Sequence, residues 1–152
     1  MAALWAPGME LPRLRRAMTA ERMRWYSDAF ETLSWTGAAA QSLILAGPNI
    51  HTDDDMAREN GLRARVADGM VSTNWISTVL TDTFAELYLE GGSLRTRYVR
   101  PIFEDDNIEV VVRVTGSERE LDGDRLTLDV SCIKDDGEVA TAGIATVRAW
   151  QP

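Results

Sequence analysis

The 152-residue chain has one cysteine, one histidine and one lysine, and each scarcity closes off a class of protein. A lone Cys132 cannot form an internal disulfide, and with His51 as the only imidazole there is no Cys/His set for a structural zinc site. Basic residues number 16 against 24 acidic ones, a formal net charge of −8. A nucleic-acid binder needs a concentrated basic surface to neutralise phosphates, so that class is excluded. The longest mostly apolar stretch, residues 38–46, is interrupted by Gln41 and Ser42 and falls far short of the ~20 residues that span a bilayer. Residues 1–10 also lack the basic flank and apolar run of a secretory signal, so a cytoplasmic protein without a membrane anchor is expected.

What remains is the composition of a globular core, 45 % hydrophobic and 26 % charged, at the length of one domain. Positive charge gathers at the start: the first 25 residues carry five arginines (Arg13, Arg15, Arg16, Arg22, Arg24) against two glutamates. This reads as a solvated arm over residues 1–18, ahead of a single domain over residues 19–152.

Thr19 is a good N-cap, and Met23, Tyr26 and Phe30 behind it recur at helical spacing, with Ser27-Asp28 closing the helix. Gly47-Pro48-Asn49 is a turn signal before His51. Thr52 followed by Asp53, Asp54 and Asp55 reads as the cap and first turn of a short helix that Asn60-Gly61 ends. Consecutive aspartates point in different directions around a helix, so they do not make a calcium loop. Asp68-Gly69 opens the longest helical pattern, whose wide apolar face (Met70, Val71, Trp75, Ile76, Val79, Leu80, Phe84, Leu87) demands burial against a sheet, and Gly91-Gly92 stops it.

Beyond it the period changes from helical to two. Residues 93–99, 108–115, 125–133 and 139–150 alternate as strands, with polar turns between them. Val110, Val112 and Val114 share one face, as do Leu126, Leu128, Val130 and Cys132, which makes Cys132 a core residue rather than a nucleophile. A long apolar helix followed by antiparallel strands is an α+β fold.

His51 is the only side chain with an ordinary pKa near neutrality, and it stands in a loop between a turn and a helix start. From Asn49 to Met70 the sequence NIHTDDDMARENGLRARVADGM resembles the signature of the MaoC-like dehydratases and (R)-specific enoyl-CoA hydratases. In that family a loop Asp-x-Asn-Pro-x-His precedes a short helix, and His-Gly-Met opens a central helix. His51 matches the loop histidine and Gly69-Met70 the Gly-Met. The stretch GGSLRTRYVRPIFEDDNIEVVVRV resembles the family's following strands, so about two thirds of the chain is covered.

The resemblance implies a hot-dog fold, an antiparallel sheet wrapped around the long helix, and a homodimer joined at a sheet edge. It implies a lyase adding or removing water across the α,β double bond of an acyl thioester. No metal or redox cofactor is implied, since coenzyme A or an acyl carrier belongs to the substrate. Such chemistry needs a base for the attacking water and a donor for the enolate oxygen. On this reading His51 is the acid/base, Gly69 N–H is the oxyanion donor, and Ser77 matches a serine that orients the loop acid in some members.

Two positions depart from the pattern. Ala46 stands where the family has its catalytic Asp, with Pro48-Asn49 in reversed order after it, and Asp68 stands where the family has histidine before Gly-Met. His51 acts alone, or another carboxylate replaces the missing one, or hydration is lost. Asp28 is the preferred replacement, because the family carries a Ser-Gly-Asp just after the equivalent helix; a solvated helix-end charge is its plain alternative. Asn49 either binds substrate or His51, or simply forms the turn. Arg95, Arg97 and Arg100 are more simply solvated or ion-paired than bound to coenzyme A phosphates. Two other readings stay open: a thioesterase with Asp68 activating water at the carbonyl carbon, and a non-catalytic acyl-binding subunit.

Overall fold

A computed structural model describes residues 5–33, 48–120 and 123–149, the side chains of residues 27–33 excepted. The chain forms two compact units, one of residues 1–16, 72–100 and 108–152 and the other of residues 17–71 and 101–107.

The first unit is built on the alternating strands. Strands β1 (Leu14–Ala17), β2 (Ser93–Tyr98), β3 (Asn107–Glu120), β4 (Gly123–Lys134) and β5 (Val139–Ala149) form one sheet in the order β1-β3-β4-β5-β2. The β2/β5, β3/β4 and β4/β5 pairs are antiparallel. Strand β3 runs past the expected Thr115: a register shift between Val114 and Gly116 lets the polar run to Glu120 pair as far as Gly123. That extension lacks apolar alternation, so its strand character comes from the hairpin ladder. The segment expected as an arm supplies β1. Its Arg13 and Arg15 pair with Glu109 of β3 at 2.7 and 2.8 Å.

The inner face carries Val110, Val112, Val114, Leu126, Leu128, Val130 and Cys132, all essentially inaccessible. Each buried Leu or Val contributes about 1.5–3 kcal/mol. Burial in this apolar layer pushes the Cys132 thiol up to about 12, so it stays protonated. The long helix lies against this face. The buried Ser72 hydroxyl bonds Thr141 of β5 at 2.7 Å, and the Cys132 thiol faces the Ser72 carbonyl at 3.7 Å.

That helix, α3 (Gly69–Phe84), is shorter than its apolar pattern suggests. Thr81, Asp82 and Thr83 are poor helix formers, and Ala85 then turns to φ +47° before α4 (Glu86–Gly91) begins. The break takes α4 out of phase with α3, so Leu87, expected in the core, is exposed at 40 %; Met70, expected on the same buried face, is also exposed, in the first turn of α3. Gly92 ends α4 as expected; a Cβ there would collide with Tyr88.

The second unit holds α1 (Ala20–Leu33), α2 (Asp54–Glu59) and the opening residues of α3. Thr19 caps α1, its hydroxyl accepting from the Arg22 N–H at 3.2 Å. The expectation that Ser27-Asp28 closes this helix is corrected, because α1 continues through Leu33. Ala29, Glu31 and Leu33 favour helix, and neither Gly nor Pro intervenes. Helix α2 is capped by Asp53 rather than Thr52: the carboxylate accepts from the Met56 N–H at 2.8 Å, while the Thr52 hydroxyl closes the preceding turn on the Asn49 N–H. Among the described residues no helix is long and apolar enough to cross a membrane.

Candidate active site

The loop before α2 is tied by short polar bonds that follow from Pro48-Asn49. The Asn49 side-chain oxygen accepts from the His51 N–H at 2.8 Å, and its carbonyl accepts from the N–H groups of Thr52 and Asp53. This is an Asx turn, and it fixes the backbone that carries the imidazole. Asn49 thus holds the His51 main chain.

The imidazole is then oriented by Val66. The Val66 N–H donates to the Ile50 carbonyl at 3.0 Å, and the Val66 carbonyl lies 2.9 Å from His51 Nδ1. A carbonyl only accepts, so Nδ1 carries the proton and, in the neutral ring, Nε2 keeps its lone pair. Val66 is itself held by a bridge to Phe103, and the Ala67 N–H donates to Ile102 at 2.8 Å. The Arg63 guanidinium caps the Phe103 ring at 3.9 Å, and Arg65 pairs with Glu104 at 3.1 Å.

Asp68 follows two residues later as the cap of α3. One carboxylate oxygen, Oδ1, accepts from the Met70 N–H at 2.8 Å, and the main-chain carbonyl accepts from Val71. The cap bond fixes the carboxylate, and its other oxygen, Oδ2, faces His51 Nε2 at 3.9 Å. Both side chains are about one quarter exposed. The separation is too long for a direct hydrogen bond and suits one bridging water donating to both atoms.

The neighbouring acids are committed elsewhere. Asp53 caps α2, Asp54 accepts from the Arg65 N–H at 2.8 Å, and Asp55 pairs with Arg58 at 2.8 Å. Asp68 is the one carboxylate within 4 Å of the imidazole among the described residues.

Of the residues singled out from the sequence, His51, Asn49 and Gly69 come together with Asp68 in the second unit, Gly69 as the first residue of α3. Ser77 lies in the first unit, where its hydroxyl meets that of Tyr88 at 3.2 Å. Asp28 sits inside α1 and not in a loop; its side chain and Ala46 lie outside the described residues. The role of Asp68 beside His51 was the part sequence reasoning missed. Its signal was present in the Asp-Gly pair, since an aspartate capping a helix places its second oxygen beside whatever packs on that helix end.

No family model and no curated protein matches the chain. Solved structures do. The (R)-hydratase from A. caviae involved in PHA biosynthesis superposes with a TM-score of 0.67 at 22 % identity, over 97 % of this chain and 98 % of that one. The MaoC-like dehydratase from Rhodospirillum rubrum gives 0.68 at 16 % identity, over 96 % and 95 %. The HadBC (3R-hydroxyacyl-ACP dehydratase) complex from Mycobacterium tuberculosis gives 0.65 at 18 % identity, over 94 % and 96 %. The fold is the α+β hot-dog fold of the MaoC-like dehydratases and (R)-hydratases.

Proposed function

We propose that the protein is a hydratase/dehydratase acting on the α,β double bond of an acyl thioester of coenzyme A or an acyl carrier. The observation that carries this reading is the His51–Asp68 pair: a lone-pair nitrogen and a carboxylate oxygen 3.9 Å apart, each fixed through its other polar atom.

In the hydration direction a water donates one hydrogen to His51 Nε2 and the other to Asp68 Oδ2. As the water oxygen bonds to the β-carbon, Nε2 takes its proton and the double-bond electrons move toward the thioester oxygen. The enolate charge falls to the Gly69 N–H at the positive end of α3. The imidazolium is stabilised by Asp68 on one side and by the Val66 carbonyl on the other until its proton passes to the α-carbon. Dehydration reverses each step. Asp68 thereby supplies the carboxylate that position 46 lacks, in place of Asp28.

Neither a metal nor a redox cofactor has a part in this scheme. The reading also makes the protein a cytoplasmic homodimer joined through an edge strand, for which β2, with Tyr98 exposed at its end and Val99 exposed just beyond it, is suited. Loss of the absorbance of a short trans-2-enoyl-CoA on addition of enzyme tests the reaction. His51→Ala should lower kcat by about 10²–10⁴-fold. Release of free thiol with the unsaturation intact would instead establish the thioesterase reading, in which Asp68 serves water attack at the carbonyl carbon. A heteromeric complex whose activity survives His51→Ala would make this chain a non-catalytic acyl-binding subunit.

A further inference from the structure

The outer face of the sheet, remote in sequence from the His51 loop, carries an unusual charge arrangement. Across the strands the register places Arg95 of β2 beside Ile144 of β5, Ile144 beside Asp129 of β4, and Asp129 beside Arg113 of β3. The next outward row is Arg97, Ala142, Ser131 and Val111. Ile144 is 53 % exposed, and these side chains line an open hollow.

Elsewhere in this unit most arginines on or beside the strands are neutralised, Arg16 of β1, which bonds only the Arg15 carbonyl, being an exception. Arg113 is held by Glu10, Arg119 by Asp124, Arg125 by Glu120 and Arg100 by Glu138. Arg95, Arg97 and Asp129 have no ion pair among the described residues. A chain with eight excess negative charges thus leaves two cations and one anion unpaired on one partly apolar face.

Their spacing decides what fits. Strands are about 4.8 Å apart, so Arg95 and Asp129 stand at equal distances on opposite sides of Ile144. A two-fold axis along β5, midway between two such faces, carries each Arg95 over the other copy's Asp129. It also sets Ile144 against Ile144 and the small Ala142 against Ala142. The pairing is reciprocal, as an isologous contact requires, and tolerates the usual crossing of about 30° between stacked sheets because an arginine reaches further than the resulting offset. A surface for a purely acidic partner would have no use for Asp129.

We propose that this face is a docking surface for a second copy of the chain, packed sheet on sheet with reciprocal Arg95–Asp129 pairs around Ile144. The contact is separate from edge-to-edge pairing through β2, and would join monomers or edge-paired dimers alike. Forming these pairs between two apolar centres suppresses other partners and fixes the register.

Sedimentation velocity on the full-length protein at low salt tests it. The wild type should reach twice the mass of Arg95→Asp or Asp129→Arg, each single change weakening self-association on the order of tenfold or more. The double variant Arg95→Asp/Asp129→Arg should regain the wild-type mass, because the reversed pairs complement each other again. Ile144→Lys, an exposed position that need not perturb folding, should also halve the mass. Equal masses for wild type and both single variants, or a double variant that stays dissociated, would overturn the proposal. So would a wild type that gains mass only when an acidic polypeptide such as polyglutamate is added.

Discussion

The core of the sheet unit and the His51 site of the other unit are ordered in different ways. In the sheet unit, order rests on many interchangeable apolar contacts: Val110, Val112, Leu126, Leu128 and their neighbours share one face, and none has a unique geometric task. The His51 unit has buried apolar residues of its own, among them Met18, Met23, Ala57 and Ile102, but its site is set by a few directional bonds, each to a named atom: Asn49 to His51, His51 to Val66, Asp68 to Met70. Distributed burial makes a scaffold whose stability responds to volume. Directional bonds make a site whose chemistry responds to single atoms while the fold scarcely notices.

The sharpest break of that contrast is Asp68→Asn. Asparagine caps helices as well as aspartate does, so the bond to the Met70 N–H and the melting temperature should be preserved. Its amide cannot carry the charge that holds the water and the imidazolium, and kcat should drop about 10²–10³-fold. Steady-state kinetics alongside a thermal melt decides the matter, and unchanged turnover would remove Asp68 from the mechanism.

Leu128→Ala is the opposite case. Its side chain is wholly buried at the centre of β4, so truncation should cost about 2–5 kcal/mol of stability by chemical denaturation. The turnover per folded molecule should stay near that of the wild type. A matching loss of kcat at full folding would show that the two units do not divide stability and chemistry in this way.

A smaller change tests the loop within its own unit. Asp53→Ala removes the cap of α2 and should cost about 0.5–2 kcal/mol. Because the Asn49 turn holds His51 independently of that cap, KM and kcat should move little.

The same contrast governs what could be read in the sequence. Period-two alternation gave the strands and the buried set because sheet burial is written residue by residue in polarity. The α3 break and the exposure of Leu87 were not legible, since they depend on Ala85 taking a positive φ that alanine does not advertise. His51 and Gly69 stood out by residue type and by resemblance. Asp68 was visible as a helix cap but not as the partner of the imidazole. That partnership arises only when Val66 folds back against Ile50, a contact between residues 16 apart in the chain that no local pattern encodes.

The smallest expected effect concerns the start of the chain. Glu109 is held below the usual carboxylate range first by its bond to Arg15 and then by Arg13; Glu10 is held below it first by Arg113 and then by Arg13. A carboxylate whose folded pKa is depressed contributes stability above its unfolded pKa, and that contribution is lost as pH falls through the lower folded value. Acidification below about pH 4 should therefore loosen β1 before it unfolds the sheet. Both carboxylates are solvent-accessible, so the contribution is modest and screened by salt. Amide exchange of residues 8–16 should quicken at pH 3 relative to pH 6, after correction for intrinsic rates, while Val110, Val112 and Leu128 stay protected. Glu109→Gln should reproduce part of that loosening at neutral pH, and equal protection in both proteins would mean that the strand is held by its backbone ladder alone.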